Sequence, residues 1–342
     1  MLFGQKAASG TMPRMSAREV VFLGTGSQVP TRHRNHNGLF LRWDALGLLI
    51  DPGEGTQRQL LHAGIAATQI THILITHFHG DHCLGLAAIA QRISLDNVQH
   101  PVEVFFPESG QVFFERLIGS SIYKPQAQLV PRPLPVAPYA GGETTTDELL
   151  CCELPEAHAR LFARPLHHRV DCVGYRLVEA DGVRMLPKEL ADRQVKGPNI
   201  KRLQREGQLV LDGKIVRLED VSVPRPGQKF AMVQDTRFCQ NAVLLAKDAD
   251  LLVSEATFTS KHAAEAQSHA HMTAGQAGQV AAQAGARRLV LTHFSQRYVS
   301  TDVHIEEAKA FFPDVIAAED LQCVAVPPRK TATDPGQSQT AG

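Results

Sequence analysis

The chain has 342 residues, 43% of them hydrophobic, so it is long and apolar enough to bury a large core. Thirty-five basic residues balance 35 acidic ones, which excludes a global positive field for nucleic acid and leaves only local patches. No apolar run approaches the ~20 residues that span a bilayer, the N-terminus lacks the apolar core of a signal peptide, and the six cysteines lack C-x-x-C spacing. We therefore expect a cytoplasmic protein with reduced thiols and no membrane contact.

Short β-branched or apolar runs recur along the chain, and each ends in small or polar residues. The runs that predict buried strands are Val20–Leu23, Leu48–Ile50, His72–Ile75, Val102–Phe106, Phe230–Val233, Leu251–Val253 and Leu289–Leu291. Helical patterns lie between some of them, at Thr56–His62 and in the alanine-rich Thr273–Ala286. This alternation indicates a layered α/β protein.

Composition predicts one domain, one insertion and two tails. Residues 1–16 and 329–342 are poor in large apolar side chains, which predicts disordered tails around a single domain at 17–328. From 181 to 228, Gly, Pro and basic residues accumulate while strand-like runs nearly vanish. This segment is therefore expected to be an insertion carried on the core.

A cluster of histidines with one aspartate follows a predicted strand in the sequence THILITHFHGDHCLG. His77 and His79 are two residues apart on an extended run, so their side chains leave the same face. Gly80 permits a tight turn that returns Asp81 and His82 to the same point. Three imidazoles and a carboxylate in this arrangement can bind two metal ions. Zinc suits these donors, and manganese, iron or cobalt also fit them.

Further metal ligands are expected where other predicted strands end. Asp235 follows KFAMVQ and His293 follows RRLVLT, so the same architecture would bring both beside His77. His168 lies in RPLHHRVDCVGYRL. A single Asp or His at a strand end is more often a cap or a satisfied hydrogen-bonding group. These candidates therefore support a metal site only when they are taken together.

The H-x-H-x-D-H motif after an apolar strand resembles that of the metallo-β-lactamase superfamily. The chain is similar to the ribonuclease Z branch, the endonucleases that mature the 3′ end of transfer RNA. The similar segments, from about Val20 to Val326, are FLGTGSQVPTRHRNHNGLFLR, LLIDPGEGTQRQLL, PLHHRVDCVGYRL, VQDTRFC, LAKDADLLVSEATF, HMTAGQAG and LTHFSQRY. The resemblance implies a four-layer αβ/βα sandwich with its site at the sheet edges. It also implies a homodimer in which one subunit's arm serves the partner's site.

The resemblance further implies roles for individual residues. The implied ligands are His77, His79 and His168 for one zinc ion, Asp81, His82 and His293 for the other, and Asp235 as the bridge between them. The chain departs from the family pattern at Pro52, Gln234, Ser254 and Met272, where Cys, Gly, His and Ser are more usual.

The metal pair alone does not name the substrate, because such a site can hydrolyse phosphodiesters, esters, thioesters or β-lactams. A phosphodiester has a poor alkoxide leaving group, so a general acid is expected. His271 is the candidate, with Glu255 accepting its other N–H and favouring the protonated ring. Asp81 would orient the attacking hydroxide in addition to binding metal. The simpler alternative is that Glu255 caps a helix and His271 lies in a polar loop.

The insertion is locally basic. Between Lys188 and Arg205, six basic residues outnumber two acidic ones, a net charge of +4. By resemblance this is the protruding arm that clamps the elbow of transfer RNA, with salt-dependent contacts to phosphates. The expected contacts are Lys196, Gly197, Pro198, Lys201, Arg202 and Arg205 in the arm, and Arg32, Arg34 and Asn35 in the opening loop. On composition alone, a solvated charged loop is the simpler explanation.

The predicted function is a two-zinc endoribonuclease that cuts precursor transfer RNA. The alternative is a related phosphodiesterase acting on small or cyclic phosphodiesters, for which Pro52, Gln234 and Ser254 would be signs of divergence. A non-catalytic RNA-binding scaffold is disfavoured, because seven convergent ligands have no evident binding-only purpose. Deleting about Lys188–Arg205 separates the first two hypotheses, since only an RNA enzyme would lose affinity for transfer RNA.

Overall fold

The computed structural model describes residues 18–136 and 147–329. The predicted N-terminal tail, 1–16, and residues 330–342 of the predicted C-terminal tail lie outside the described residues. Arg329, at the start of that second tail, is described and donates to the Asp250 carboxylate at 2.9 Å. No helix in the described ranges is long and apolar enough to cross a membrane.

The strands of the described chain are, in order, β1 (Arg18–Gly24), β2 (Gly26–Ser27), β3 (Gly38–Trp43), β4 (Leu46–Ile50), β5 (His72–Leu74), β6 (Val102–Pro107), β7 (Leu129–Leu134), β8 (Leu149–Leu154), β9 (Ala159–Leu166), β10 (Cys172–Glu179), β11 (Gly182–Met185), β12 (Gln208–Leu211), β13 (Lys214–Arg217), β14 (Ser222–Arg225), β15 (Lys229–Val233), β16 (Leu251–Glu255), β17 (Leu289–Thr292), β18 (Phe294–Ser295), β19 (Val315–Ala317) and β20 (Cys323–Ala325).

The α-helices of the same ranges are α1 (Thr56–His62), α2 (Gly80–Cys83), α3 (Leu86–Leu95), α4 (Gln111–Ile118), α5 (Pro187–Asp192), α6 (Pro198–Glu206), α7 (Gln240–Leu245), α8 (Ala263–His269), α9 (Ala274–Ala284) and α10 (Asp302–Lys309). The predicted strands and both predicted helices are confirmed, with boundaries that differ by at most a few residues.

Two seven-stranded sheets lie face to face, and helices cover the outer face of each. Their strand orders are β20-β1-β3-β4-β5-β6-β7 and β19-β17-β16-β15-β10-β9-β8. Alternate side chains of a strand point to opposite faces, so Val20 and Phe22 of β1 pack between the sheets. Val21 and Leu23 pack instead with residues of α1 and α3. The four-layer αβ/βα sandwich is thereby confirmed.

Helix α9 illustrates how the outer layer is attached to the second sheet. Thr273 caps its N-terminus, because the Thr273 hydroxyl accepts the Gln276 N–H at 3.3 Å. Its buried face includes Ala277 and Val280, which pack in one core with Ala231 of β15. Small residues on this face let the helix lie close to the sheet.

The two sheets are joined at the edge where their parallel strands end. Strands β4, β5 and β6 are parallel in the first sheet, and β15, β16 and β17 are parallel in the second. The Tyr175 hydroxyl of β10 donates to the Ile75 carbonyl at 2.8 Å, and Val173 N donates to the Thr76 carbonyl at 3.0 Å. Both contacts hold the segment after β5 against the second sheet.

Residues 182–225 form the arm, a substructure with its own small core. Its base is the antiparallel pair β11–β14, in which Met185 pairs with Ser222, and its outer part contains α5, α6 and the β12–β13 hairpin. The buried core residues of the arm are Leu190, Val195, Leu203, Leu209, Val216 and Val221. The four short strands of the arm were not predicted, because strand-like apolar runs nearly vanish from this part of the sequence. These four-residue strands bury only one face against a small core, so they lack long apolar runs.

Candidate metal centre and catalytic dyad

The site residues follow the ends of strands in both sheets. Asp51 directly follows β4, Asp235 lies just beyond β15, and His293 directly follows β17. All three have positive φ, at 48°, 22° and 60°, which non-glycine residues rarely adopt. Strained backbone of this kind persists where the surrounding structure enforces it, and it clusters at functional sites.

A loop and one helical turn position the histidine cluster. His77 and His79 precede α2, and the helix itself carries Asp81 and His82. Gly80 is the first residue of the four-residue helix α2, and this single turn is the predicted tight turn, although Gly80 does not have positive φ. In this turn, His82 N donates to the His79 carbonyl at 3.0 Å.

Three imidazoles and a shared carboxylate form the first donor group. His77 Nε2 lies 2.9 Å from His79 Nδ1, and His168 Nε2 lies 3.3 Å from the same His79 atom. Asp235 Oδ2 lies 3.6 Å from His77 Nε2 and 3.8 Å from His168 Nε2.

The second donor group shares Asp235 with the first. His82 Nε2 and His293 Nε2 each lie 3.4 Å from Asp81 Oδ2. Asp235 Oδ2 is 3.4 Å from His82 Nε2, and Asp235 Oδ1 is 3.3 Å from His293 Nε2. The structure thus brings all seven expected ligands together, in the two groups that the resemblance implies.

Four of the five histidine rings in the two donor groups have a hydrogen-bond partner on Nδ1, the nitrogen that faces away from the cluster. The Nδ1 contacts are His77 to Thr76 Oγ1 at 3.0 Å, His82 to Asp51 Oδ2 at 2.8 Å, His168 to Ala270 O at 3.0 Å and His293 to Thr257 Oγ1 at 2.9 Å. A partner on Nδ1 keeps the proton there, so that Nε2 presents its lone pair to the cluster.

Two threonine hydroxyls lie between histidine rings of the cluster and buried carboxylates. Thr76 Oγ1 donates to Asp51 Oδ2 at 2.8 Å, and Thr257 Oγ1 donates to Glu255 Oε2 at 2.6 Å. Sequence reasoning missed Asp51 and both threonines. The available signal for Asp51 was a carboxylate directly after the apolar run of β4, the same signal that identified Asp235.

The protonation states suit metal binding. Burial lowers the pKa of His77 and His168, that of His168 to about 4, so both rings are neutral, as metal ligands must be. Burial alone would raise the pKa of Asp81 and Asp235, but the surrounding histidines hold both well below the ordinary value. His77 and His168 are therefore neutral and the two carboxylates are ionised. Burial lowers the pKa of His82, but the facing carboxylates of Asp235 and Asp81 outweigh this and raise it, so a metal ion would displace a proton from that ring.

Two buried atoms of the cluster lack a protein partner. His82 Nε2 and Asp235 Oδ1 have no hydrogen bond to any residue that the structure describes. Leaving a buried polar atom unsatisfied costs about 1–3 kcal/mol. Five imidazoles and two carboxylates are the donors that zinc and related divalent ions take. The residues therefore fit two divalent metal ions.

The expected dyad is formed beside this cluster. His271 Nδ1 lies 3.1 Å from Glu255 Oε1. Glu255 is fully buried and also accepts from Thr236 N at 2.6 Å, Thr257 Oγ1 at 2.6 Å and Met272 N at 3.2 Å. The alternative of a helix cap fails for Glu255, because this residue ends strand β16.

The dyad favours a charged imidazole. Burial lowers the pKa of His271, but the facing carboxylates of Glu255 and then Asp235 outweigh this and raise the pKa to about 9. The His271 ring lies 4.0 Å from Asp235 Oδ2 and borders the cleft above the cluster. A proton donor is thereby held next to the metal-binding groups.

A cleft of about 430 Å³ opens over the cluster and the dyad. Its lining includes Arg169, Phe258 and Arg297, which sequence reasoning missed, and Gln28 and His36 of the opening loop. The Arg297 guanidinium lies 4.9 Å from the centre of the Phe258 ring. The two arginines give the cleft a positive rim that suits a phosphate backbone.

The opening loop is held against the domain by hydrogen bonds. Arg34 Nη1 donates to Thr25 Oγ1 at 2.6 Å, and Asn35 N donates to Asp320 Oδ2 at 2.6 Å. Neither Arg34 nor Asn35 is among the residues that line the cleft, whereas Arg32 is exposed. Both residues hold the loop against the domain, and their predicted phosphate contacts stay predictions.

The expected arm contacts lie on one turn and the helix after it. Gly197 precedes α6 with φ 59° and ψ −133°, a conformation that only glycine adopts readily. Arg202 and Arg205 donate to Glu206 at 2.9 Å and 2.8 Å. Lys196 and Lys201 are exposed and have no ion pair within the described residues. Pro198 is the first residue of α6, and none of the arm contacts is among the residues that line the cleft.

Comparison with known proteins places the chain in a family. Residues 18–118 match the family model of the anti-Pycsar protein Apyc1, and residues 219–294 match that of the beta-lactamase superfamily domain. The ribonuclease Z of Nocardia farcinica is 52% identical over 317 residues, which are 92% of this chain and 100% of the relative. The chain belongs to the ribonuclease Z family.

Other members and a solved structure agree with this assignment. The ribonuclease Z of Chlamydia muridarum is 43% identical over 307 residues, 90% of this chain and 97% of the relative. The crystal structure of human tRNase Z, short form, superposes with a TM-score of 0.66 at 28% identity, and covers 90% of this chain and 99% of the human chain. The similarity thus extends through sandwich and arm alike.

This ribonuclease Z family member accommodates its departures from the family pattern in different ways. Met272 contributes its backbone N–H to Glu255, so the site does not depend on its side chain. Ser254 is buried, and its hydroxyl donates to the Glu255 carbonyl at 3.1 Å. Pro52 is buried, and its carbonyl accepts a backbone N–H at 2.8 Å. Nothing in the structure explains the glutamine at Gln234, which is fully buried.

Proposed function

We propose that this ribonuclease Z family member is a zinc-dependent endoribonuclease acting on precursor transfer RNA. Cleavage leaves a 3′-hydroxyl on the transfer RNA and a 5′-phosphate on the trailer. The observation that carries the proposal is the shared cleft in which the Glu255–His271 dyad borders the two donor groups around Asp235. Relatives named ribonuclease Z, at 52% and 43% identity, support the same conclusion.

The two donor groups support an assignment of the metal ligands. His77, His79 and His168 would hold one ion, and Asp81, His82 and His293 would hold the other, with Asp235 available to both. Bound metals lower the pKa of water and neutralise charge that develops on a phosphate oxygen. Imidazole and carboxylate donors favour zinc, and manganese, iron and cobalt take the same donors.

His271 supplies the proton that the leaving group needs. The leaving group is the 3′-oxygen of the transfer RNA, whose departure as an alkoxide is costly. Glu255 holds His271 by Nδ1, so the Nε2 proton is free for transfer to that oxygen. Asp81, whose Oδ2 accepts Gln28 N at 2.7 Å, orients the attacking water in addition to binding metal.

The arm supplies affinity for the body of the transfer RNA. Lys196 and Lys201 are exposed cations, and Gly197 and Pro198 form the turn between them. Contacts of this kind, to phosphates remote from the scissile bond, are sequence-independent and weaken with salt. Arg169 and Arg297 at the cleft are placed to meet phosphates beside the scissile bond.

A homodimer in the cytoplasm completes the proposal. The arm contacts are not among the residues that line the cleft of the same chain, which supports an arm that serves a partner subunit. All six cysteines are free, which supports a reducing compartment. Mixing an arm-deleted chain with an Asp235→Ala chain tests the dimer, because heterodimers would regain cleavage that neither homodimer has. Light scattering that finds only monomers would contradict it.

The decisive experiment is cleavage of a 3′-extended precursor transfer RNA by zinc-loaded protein, with both product ends mapped. A 3′-hydroxyl on the transfer RNA and a 5′-phosphate on the trailer are expected, and the Asp81→Ala variant should leave the precursor uncut. An uncut precursor with fully metal-loaded wild-type protein would overturn the proposal.

Excision of the arm separates an RNA enzyme from one that acts on small phosphodiesters. Met185 and Ser222 are cross-strand partners, so an Asn-Gly turn can replace residues 186–221 without breaking β11–β14. We expect loss of affinity for transfer RNA with retained hydrolysis of a small aryl phosphodiester. An excised variant that still binds and cuts the precursor like wild type would favour the small-phosphodiester hypothesis.

A further inference from the structure

A second group of metal-type donors lies away from the catalytic cleft. His72 of β5, Glu103 of β6 and Cys152 of β8 each offer one ligand atom, and these atoms all lie within 4.8 Å of one another. His72 begins β5, whereas His77 follows its other end. This group therefore lies towards the end of β5 opposite to the metal cluster.

The His72 ring is held in the orientation that metal binding requires. The Thr71 hydroxyl donates to the Gly47 carbonyl at 3.1 Å and lies 2.8 Å from His72 Nδ1. When the hydroxyl proton is donated to Gly47, Thr71 accepts the proton of Nδ1, and Nε2 carries the lone pair that a metal ion needs. The ring also stacks on Phe105, with centroids 6.3 Å apart and planes at 19°. Nε2 is thereby aimed at Glu103.

Glu103 leaves one carboxylate oxygen available. Arg132 Nε and Nη2 both donate to Oε1, at 3.0 Å and 2.6 Å. The other oxygen, Oε2, lies 3.9 Å from His72 Nε2, which is too long for a hydrogen bond. Two acceptor atoms thus face each other across a gap that a cation would fill.

We propose that His72, Glu103 and Cys152 bind a structural zinc ion that links the two β-sheets. Zinc bonds of about 2.0–2.3 Å to N, O and S place tetrahedral ligand atoms roughly 3.3–3.7 Å apart, so small side-chain movements close the site. Solvent provides the fourth ligand, since Glu103 keeps 25% of its side-chain surface exposed. The thiolate and the carboxylate balance the two positive charges of the ion.

Binding is coupled to loss of one proton. Burial and then the Glu103 carboxylate raise the pKa of Cys152 to about 12, so without metal the group is a thiol. Zinc displaces the thiol proton, the sulfur–metal bond forms, and the proton leaves to solvent. Burial lowers the pKa of His72, so no proton has to leave that ring.

Cobalt substitution tests this site separately from the catalytic one. A sulfur-to-cobalt charge-transfer band in the near ultraviolet requires a thiolate ligand, and the catalytic donors are only nitrogen and oxygen. We expect the band in wild-type protein and in the matched Cys151→Ser control. In Cys152→Ser we expect the band to disappear and the protein to bind one equivalent of metal less. A band that is missing in wild type, or that survives in Cys152→Ser, would overturn the proposal.

Wild-type protein alone provides an independent measurement if Cys152→Ser does not fold. Zinc should slow alkylation of Cys152 by iodoacetamide at least tenfold, read by mass spectrometry, without changing the neighbouring Cys151. Equal Cys152 rates with and without zinc would refute the site. Cleavage of precursor transfer RNA should be unchanged in folded Cys152→Ser, so failure of this proposal and failure of the nuclease function are distinguishable.

Discussion

Replacing Asp51 with asparagine should weaken metal binding although Asp51 touches no metal. The fully buried Asp51 carboxylate accepts from Thr76 N at 2.7 Å and faces His82 Nδ1 at 2.8 Å. In Asp51→Asn an amide NH2 faces that nitrogen and cannot accept its proton. A neutral His82 ring then favours the tautomer with its proton on Nε2, the atom that faces the metal cluster.

Loss of a partner that orients a metal ligand typically costs 10- to 100-fold in metal affinity. Since a tenfold change corresponds to about 1.4 kcal/mol, the expected loss for Asp51→Asn is about 1.4–2.8 kcal/mol of binding free energy. Stability falls separately, because an unsatisfied buried group costs about 1–3 kcal/mol. Cleavage should recover in part at high zinc concentration, because the ligands themselves remain.

Zinc affinity can be measured by competition with a chromogenic chelator, with Asp250→Asn as the matched control. Asp250 is also a fully buried carboxylate, and it accepts from Lys229 N at 2.7 Å and from Arg287 at 2.8 Å. We expect Asp250→Asn to lose stability but to keep its affinity for zinc. Wild-type affinity in Asp51→Asn, or an equal loss in both variants, would refute the orienting role of Asp51.

Three further predictions concern the dyad, the arm and a buried histidine. His271→Ala should lower kcat on precursor transfer RNA by about 100- to 10,000-fold and barely affect an aryl phosphodiester, whose leaving group needs no proton; equal losses on both substrates would contradict a general acid. Lys196→Ala combined with Lys201→Ala should reduce the slope of log affinity against log salt by about 2, whereas the exposed Lys247→Ala should leave it unchanged. His304 is fully buried, and burial lowers its pKa from 6.5 to about 4. The unfolded chain therefore takes up the proton first, and this stability is lost as the pH falls from 6.5 towards 4. As the pH falls over that range, the free energy of unfolding of His304→Leu, measured with urea, should rise by up to about 3 kcal/mol relative to that of wild type. A difference between the two proteins that does not change with pH would contradict this.

Periodic and local features were predictable without the structure. Apolar runs located β1, β4, β5, β6 and β15, because a strand buried on both faces needs an uninterrupted apolar segment. The metal-type donors of the histidine loop lie within six residues, so their spacing alone brings them together.

Features that depend on distant partners were not predictable. Arg34 is a basic residue in a polar loop, which is typical of a phosphate-binding residue. In the structure it donates to the Ala318 carbonyl, 284 positions away. The strands of the arm were missed because short strands with one buried face depend on the small core around Leu203 and Leu209.

By itself, the sequence determined the layered α/β class and the local donor set at His77, His79, Asp81 and His82. Strand and short-loop geometry act over a few residues, so spacing carries that information. Only the tertiary structure decided that Asp51 holds His82, and that His72 meets a cysteine from the opposite sheet. Asp51 and His82 are 31 positions apart, and His72 and Cys152 lie in different sheets, so tertiary packing sets both contacts and neighbours in the chain do not.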